Sequence, residues 1–207
     1  MRAEVMTLGT PNPRQREFLA CEKKYVAFGG ARGGGKSWAV RCKAKLLALR
    51  YAGIRILLVR RSLAELEANH LAFLRQELAD VAEYRAGERQ FRFCNGSVLQ
   101  FGYCGCDRDL DRYQGAEYDV IFLDEATQMK EQWMRQIAAC VRGVNDFPKR
   151  IYYTCNPGGP GHGYIKRLFI DRRFEDGEQP EDYAFIPARV TDNAALLARQ
   201  PDYLKTL

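Results

Sequence analysis

Lys24-Tyr-Val-Ala-Phe-Gly-Gly30-Ala-Arg-Gly-Gly-Gly35-Lys36-Ser37 decides the fold of this chain. From Gly30 onward it matches G-x-x-x-x-G-K-[ST] in full. Before that it reads as a short strand ending in glycines. After it, Lys36 to Tyr51 reads as a helix, with Ala39, Val40, Leu46 and Leu47 able to share a face. Strand, glycine loop and helix in this order make a phosphate-binding turn. Through Gly30, Ala31, Arg32, Gly33, Gly34 and Gly35 the backbone can wrap an anion with its N–H groups, where a Cβ at the close positions would collide. The helix opening near Lys36 turns its positive dipole end to the same anion. Lys36 is a point charge for the β- and γ-phosphates, and the Ser37 hydroxyl is a ligand for Mg2+.

Outward from this loop the chain reads as alternating strands and helices. Ile54 to Arg60 is a near-continuous apolar run, the mark of a strand buried on both faces. Ser62 caps a helix to about Ala79, with Glu65 at the capping-box position. Gln90 to Gly102 predicts a hairpin on a type I′ turn at Asn95-Gly96. Asp119 to Leu123 is a second buried strand, Glu131 to Val141 a helix, and Arg150 to Cys155 a third strand entering a Pro/Gly-rich loop. Tyr164 to Asp171 reads as helical, and a last strand at Tyr183 to Ile186 precedes a polar tail. This order predicts an α/β fold, a mostly parallel sheet with helices on both faces.

Composition sets outer limits. With 46% hydrophobic and 28% charged residues among 207, the chain can bury a core, which excludes a disordered protein. No apolar run approaches the roughly 18 residues that span a bilayer, so no membrane partner is expected. Met1 to Pro13 lacks an apolar signal segment, and seven Cys without one read as reduced thiols. Cys94, Cys104 and Cys106 lack a C-x-x-C pair and read as buried thiols rather than a zinc site. Phe91, Phe93, Phe101 and Tyr103 at period-two spacing read as one face of the hairpin. The net charge of +6 is a mild lean toward an anionic partner.

The second chemical signal is Val120-Ile-Phe-Leu-Asp124-Glu125. A parallel strand delivers its C-terminal end to the ligand crevice. Asp124 there can hold Mg2+ through water, and Glu125 can orient or deprotonate an attacking water. The absence of Asn-Lys-x-Asp favours ATP over GTP. Thr154 and Asn156 end a third buried strand beside the γ-phosphate and read as a sensor of nucleotide state.

These motifs, in order, resemble the ATPase domain of the large terminase subunit, the DNA-packaging motor of tailed bacteriophages. Pro13-Arg-Gln15 with Phe18 resembles its adenine-binding element, and Arg32 occupies the loop position where the family often has an arginine. Leu58-Val-Arg60-Arg61 resembles the strand end after its first helix. Gln114 to Ala126 resembles its extended acidic motif, Thr154-Cys-Asn156-Pro157 its coupling motif, and Gly161 to Lys166 the segment that follows. The resemblance implies a P-loop NTPase of the additional-strand, catalytic-Glu type, and Gln15 as the reader of the adenine edge. It implies ATP and Mg2+ as cofactors, and double-stranded DNA, a portal protein and the small terminase subunit as partners. It further implies a homo-oligomeric ring when active and the cytoplasm of an infected bacterial host, outside the mature virion.

On this reading residues 1–12 form an arm and 13–207 the motor domain. The family's C-terminal nuclease domain is expected to be absent, and with it nuclease activity. A ring subunit can lend its neighbour an arginine finger, and Arg142 and Arg135 are candidates by location, while Arg32 is the candidate in cis. The rival readings are a helicase-like or repair DNA-dependent ATPase, a small-molecule kinase and a non-catalytic nucleotide-binding module.

Overall fold

The computed structural model describes residues 9–206. Among them eight strands form one sheet in the order β3-β4-β5-β2-β6-β7-β1-β8. These are β1 (Tyr25–Gly30), β2 (Arg55–Arg60), β3 (Ala82–Arg85), β4 (Gln90–Phe93), β5 (Val98–Tyr103), β6 (Val120–Leu123), β7 (Arg150–Cys155) and β8 (Tyr183–Ala188). All neighbours pair in parallel except β3 with β4 and β4 with β5. The helices are α1 (Pro13–Ala20), α2 (Lys36–Arg50), α3 (Leu63–Leu66), α4 (Ala72–Glu77), α5 (Glu131–Ala138), α6 (His162–Ile165) and α7 (Ala194–Arg199). A π-helical turn, Glu67–Leu71, joins α3 to α4 without a break. None of the described helices is long and apolar enough to cross a membrane.

The parallel strands are apolar throughout because each faces two cores. Val120 and Phe122 of β6 pack with Ile56, Leu58, Phe28 and Tyr152 on the side of α2. Ile121 and Leu123, between them in sequence, pack with Leu57, Val59, Ala27 and Tyr153 on the side of α5 and α6. Both β6 and β1 are interior strands, β1 next to the edge strand β8, and as parallel strands their C-terminal ends lie at one edge. The strand between them is β7, which follows both nucleotide motifs in the chain. The Ile54–Arg60 run, which forms β2, and the β4–β5 hairpin lie on the other side of β6.

Several local expectations are corrected. The β4–β5 turn is not type I′. Asn95 does not take positive φ, whereas Gly96 does, at 84°. Gly96 N–H donates to Phe93 O and Phe93 N–H to Ser97 O, the pattern of a three-residue connection with a left-handed glycine. The α5 helix stops at Ala138, and Val141 bridges to Tyr118 instead. The hairpin gains an outer strand, β3, too short and too polar to stand out in the sequence. The polar tail after β8 forms α7 and a 3-10 segment, Pro201–Thr206. Phe91, Phe93 and Phe101 are buried as expected and Tyr103 only partly, while Cys94 and Cys106 are exposed and Cys104 alone of the three is buried. Of the arm, residues 1–8 lie outside the described residues, and Asn12 belongs to α1 as its cap.

Candidate active site

A cleft of about 530 Å³ opens at the C-terminal edge of β1, β6 and β7. Its floor is the phosphate loop, Arg32 to Ser37, and its far wall is Asp124, Glu125, Thr154 and Asn156. Gly33 and Gly35 take φ of 79° and 74°, which L side chains rarely adopt. A Cβ on Gly35 would also lie 2.4 Å from Gln15 Nε2. The loop can follow this path only as glycine, and it then opens α2 at Lys36.

Lys36 is buried, and its Nζ donates to Ala31 O and to Asn156 Oδ1, the latter at 2.8 Å. Burial pushes its pKa down, against the pull of Cys155, Asp124 and Glu125. Asp124 is 2% exposed and held from three sides. Its Oδ2 accepts from Arg60 Nη1 at 2.7 Å and lies 2.9 Å from His70 Nε2, and its Oδ1 accepts from Thr154 Oγ1 at 2.6 Å. Burial alone would raise its pKa. His70, Arg60 and Thr154 together outweigh that and hold the carboxyl well below the usual carboxylate range. Glu125 sits at φ 51°, a left-handed conformation costly for a non-glycine residue and common where a site over-determines the backbone. Its N–H donates to Thr154 Oγ1 at 2.8 Å, and its carboxylate meets Arg60 Nη2 at 3.1 Å.

The structure therefore brings together Lys36, Ser37, Asp124, Glu125, Thr154 and Asn156, with exposed Arg32 at the cleft. It does not bring Gln15 into the cleft. The Gln15 side chain accepts from Asn12 N–H in a capping box and donates to Gly35 O at 3.0 Å, so it braces the loop from behind. Arg142 also lies elsewhere. Its N–H donates to Tyr118 O, beyond the opposite end of β6, and its side chain pairs with Glu117. Arg135 is exposed and pairs with Glu131 and Glu175.

Two residues of this site are not assigned by the sequence. Arg60 appears there only within the strand end Leu58-Val-Arg60-Arg61, with no role of its own, yet it is buried and bridges Asp124, Glu125 and Glu65. His70 carries no role in the sequence reading. Asn193, Leu196 and Tyr203 of the tail also line the cleft, and Asn193 Nδ2 donates to Gly33 O at 2.7 Å.

The donors suit Mg2+. Among the described residues no cluster of three or more His, Cys, Asp or Glu could cage an ion. Ser37 offers one hydroxyl and Asp124 one carboxylate. That set matches an ion that keeps most of its waters and is otherwise held by phosphates.

The family model described as "Terminase large subunit, T4likevirus-type, N-terminal" matches residues 27–207. The large terminase of a thermophilic bacteriophage superposes with a TM-score of 0.75 at 16% identity, over 95% of this chain and 50% of that one. The complex of that same terminase with ATP-gamma-S gives 0.74 at 16% identity, over 94% and 48%. The large terminase ATPase domain of Thermus phage P74-26 gives 0.65 at 14% identity, over 94% and 88%. No curated protein matches. The chain thus spans about half the length of the thermophilic phage terminase it resembles. At these identities the superpositions establish the shared P-loop NTPase fold, and the match over residues 27–207 establishes descent: the chain belongs to the large terminase subunit family and carries its N-terminal domain.

Proposed function

We propose that this domain binds and hydrolyses ATP and that hydrolysis drives double-stranded viral DNA into a procapsid. The observation that carries the reading is the convergence of Lys36, Asp124, Glu125, Thr154 and Asn156 on one cleft above a glycine loop. The thermophilic phage terminase has been captured with ADP and with ATP-gamma-S, which supports the same ligand here.

Loop N–H groups and Lys36 neutralise the phosphate oxygens. Ser37 and Asp124 would hold Mg2+, which supplies further charge neutralisation at the β- and γ-phosphates. Glu125 is the acceptor for the proton of an attacking water. Its distorted backbone is pinned through Thr154, whose hydroxyl also donates to Asp124, so one hydroxyl links the two acids. Asn156 joins Lys36 to the same strand end, so the end of β7 contacts both Lys36 and Asp124. A partner of any sequence should be gripped through its phosphates, which fits a DNA mover. A ring of such subunits, a portal protein, the small terminase subunit and the infected cell's cytoplasm belong to this proposal.

The test is phosphate release from ATP with Lys36→Ala and Glu125→Gln beside the wild type. Lys36→Ala should lose nucleotide binding. Glu125→Gln should bind ATP-γ-S normally and lose roughly 10²–10⁴ in kcat. Wild-type turnover surviving in Glu125→Gln would remove Glu125 from the chemistry.

A further inference from the structure

The strongest unassigned feature is a histidine sealed against the metal-side carboxylate. His70 is 0% exposed, and its Nε2 lies 2.9 Å from Asp124 Oδ2. A carboxylate without a proton only accepts, so Nε2 carries the hydrogen of this bond. Among the described residues Nδ1 has no hydrogen-bond partner. The ring therefore makes one polar contact, and that contact is Asp124.

The backbone is shaped to deliver it. His70 sits in the π-helical turn Glu67–Leu71. The extra residue of such a turn shifts side chains around the helix, and π turns often mark functional sites. Leu66 and Leu71 at its two ends stay in the core, while Asn69 and His70 between them reach the cleft and Asp124.

A carboxylate offers about four lone-pair positions. Arg60 and His70 fill the two on Oδ2, and Thr154 fills one on Oδ1. One position remains, on Oδ1, and Asp124 faces the cleft. Arg60 already balances the charge, but it also serves Glu125 and Glu65. Of the two donors on Oδ2, His70 is the one committed to Asp124 alone. We infer that His70 is a positioning residue that fixes the Asp124 carboxylate so that Oδ1 alone stays open toward hydrated Mg2+. This inference rests on the ATPase reading and names a residue that sets the geometry of its metal side.

The experiment titrates fluorescent ATP-γ-S binding in EDTA and in Mg2+, alongside kcat and KM for ATP. The variants are His70→Leu, His70→Asn and His70→Gln, each checked by thermal melting. The Gln amide reaches the Nε2 position and can donate to Asp124. The Asn amide stops short at the Nδ1 position. Expected for Leu and Asn is unchanged affinity in EDTA, a loss of roughly 10-fold in the gain conferred by Mg2+, and a fall of roughly 10-fold or more in kcat, with Gln recovering most of both. If Leu does not fold, Asn against Gln decides. Three results overturn the inference: a folded Leu or Asn variant with wild-type Mg2+ dependence, Gln as impaired as Asn, or an equal loss of affinity in EDTA. A wild-type protein with no nucleotide binding would instead overturn the ATPase reading beneath it.

Discussion

Arg60 shows how much one side chain at a strand end can hold. Its guanidinium meets Glu65 through Nε, Asp124 through Nη1 and Glu125 through Nη2, at 3.1, 2.7 and 3.1 Å. Only a planar fork with several fixed donors reaches three carboxylates at once. Removing it leaves buried Asp124 short of a counter-charge, and breaking a buried pair in this way costs about 3–5 kcal/mol. Arg60→Met should therefore lower stability by about that amount. Arg60→Lys should recover only part of it, because an ammonium is a point charge that cannot span the three partners. Urea unfolding of the two variants beside the wild type measures both. A Lys variant as stable as the wild type would mean that charge alone matters and the fork does not.

Elements transmit this precision through their ends. The α1 helix is a strut. At its start Gln15 donates to Gly35 O, and at its end Lys43 of α2 donates to Leu19 O at 2.5 Å and Cys21 O at 3.2 Å. Burial pushes the Lys43 pKa down from 10.5 to about 8, and Arg150 adds to the shift. The sign of the pH effect follows. Between those two values the unfolded chain holds a proton that the folded chain has released, so stability contributed at this site rises with pH. The cost of burying the ammonium is thus fully present below about pH 8 and relieved above it. Relative to Lys43→Met, the wild type should gain roughly 1–2 kcal/mol between about pH 7.5 and 9.5. Paired urea titrations across that range read the difference, and a flat difference would show that Lys43 does not change its proton affinity on folding.

The same scale explains what the sequence discloses and what it withholds. The phosphate loop and the β6 acids are legible because their chemistry is local: spacing, glycines and an apolar run ending in carboxylates. Thr154 and Asn156 are legible because a parallel strand ends where its neighbours end. Arg60 and His70 are not, since their partner Asp124 lies 64 and 54 residues away and only strand order brings them together. Gln15 is an intermediate case. Asn12 followed three residues later by Gln is a capping-box signature before a Pro-led helix, and that local signal accounts for where its amide goes.

At the scale of the whole molecule, the cleft is walled by chain that follows β8, the edge strand beside β1. After β8 the backbone turns back over the phosphate loop, and a Cβ on Gly33 would lie 2.8 Å from Tyr203, 3.1 Å from Leu196 and 3.2 Å from Val190. Asn193 fixes this crossing with both ends of its amide. Its Nδ2 donates to Gly33 O at 2.7 Å, and its Oδ1 accepts from Leu196 N–H at 3.3 Å as the cap of α7. The loop that must fit the phosphates is thereby tied to the last described helix. Losing one such hydrogen bond is worth about 1 kcal/mol, or roughly a 5-fold change in an equilibrium constant. Asn193→Ala should weaken ATP-γ-S binding by about that factor while leaving kcat near its wild-type value, because no group of Asn193 touches Glu125 or Asp124. Asn193→Asp separates the two roles: it keeps an oxygen to cap α7 and loses the donor to Gly33. Affinity in the Asp variant as low as in Ala assigns the effect to the loop tether. Affinity restored by Asp would assign it to the helix cap, and the tail would then act on the cleft only by being folded.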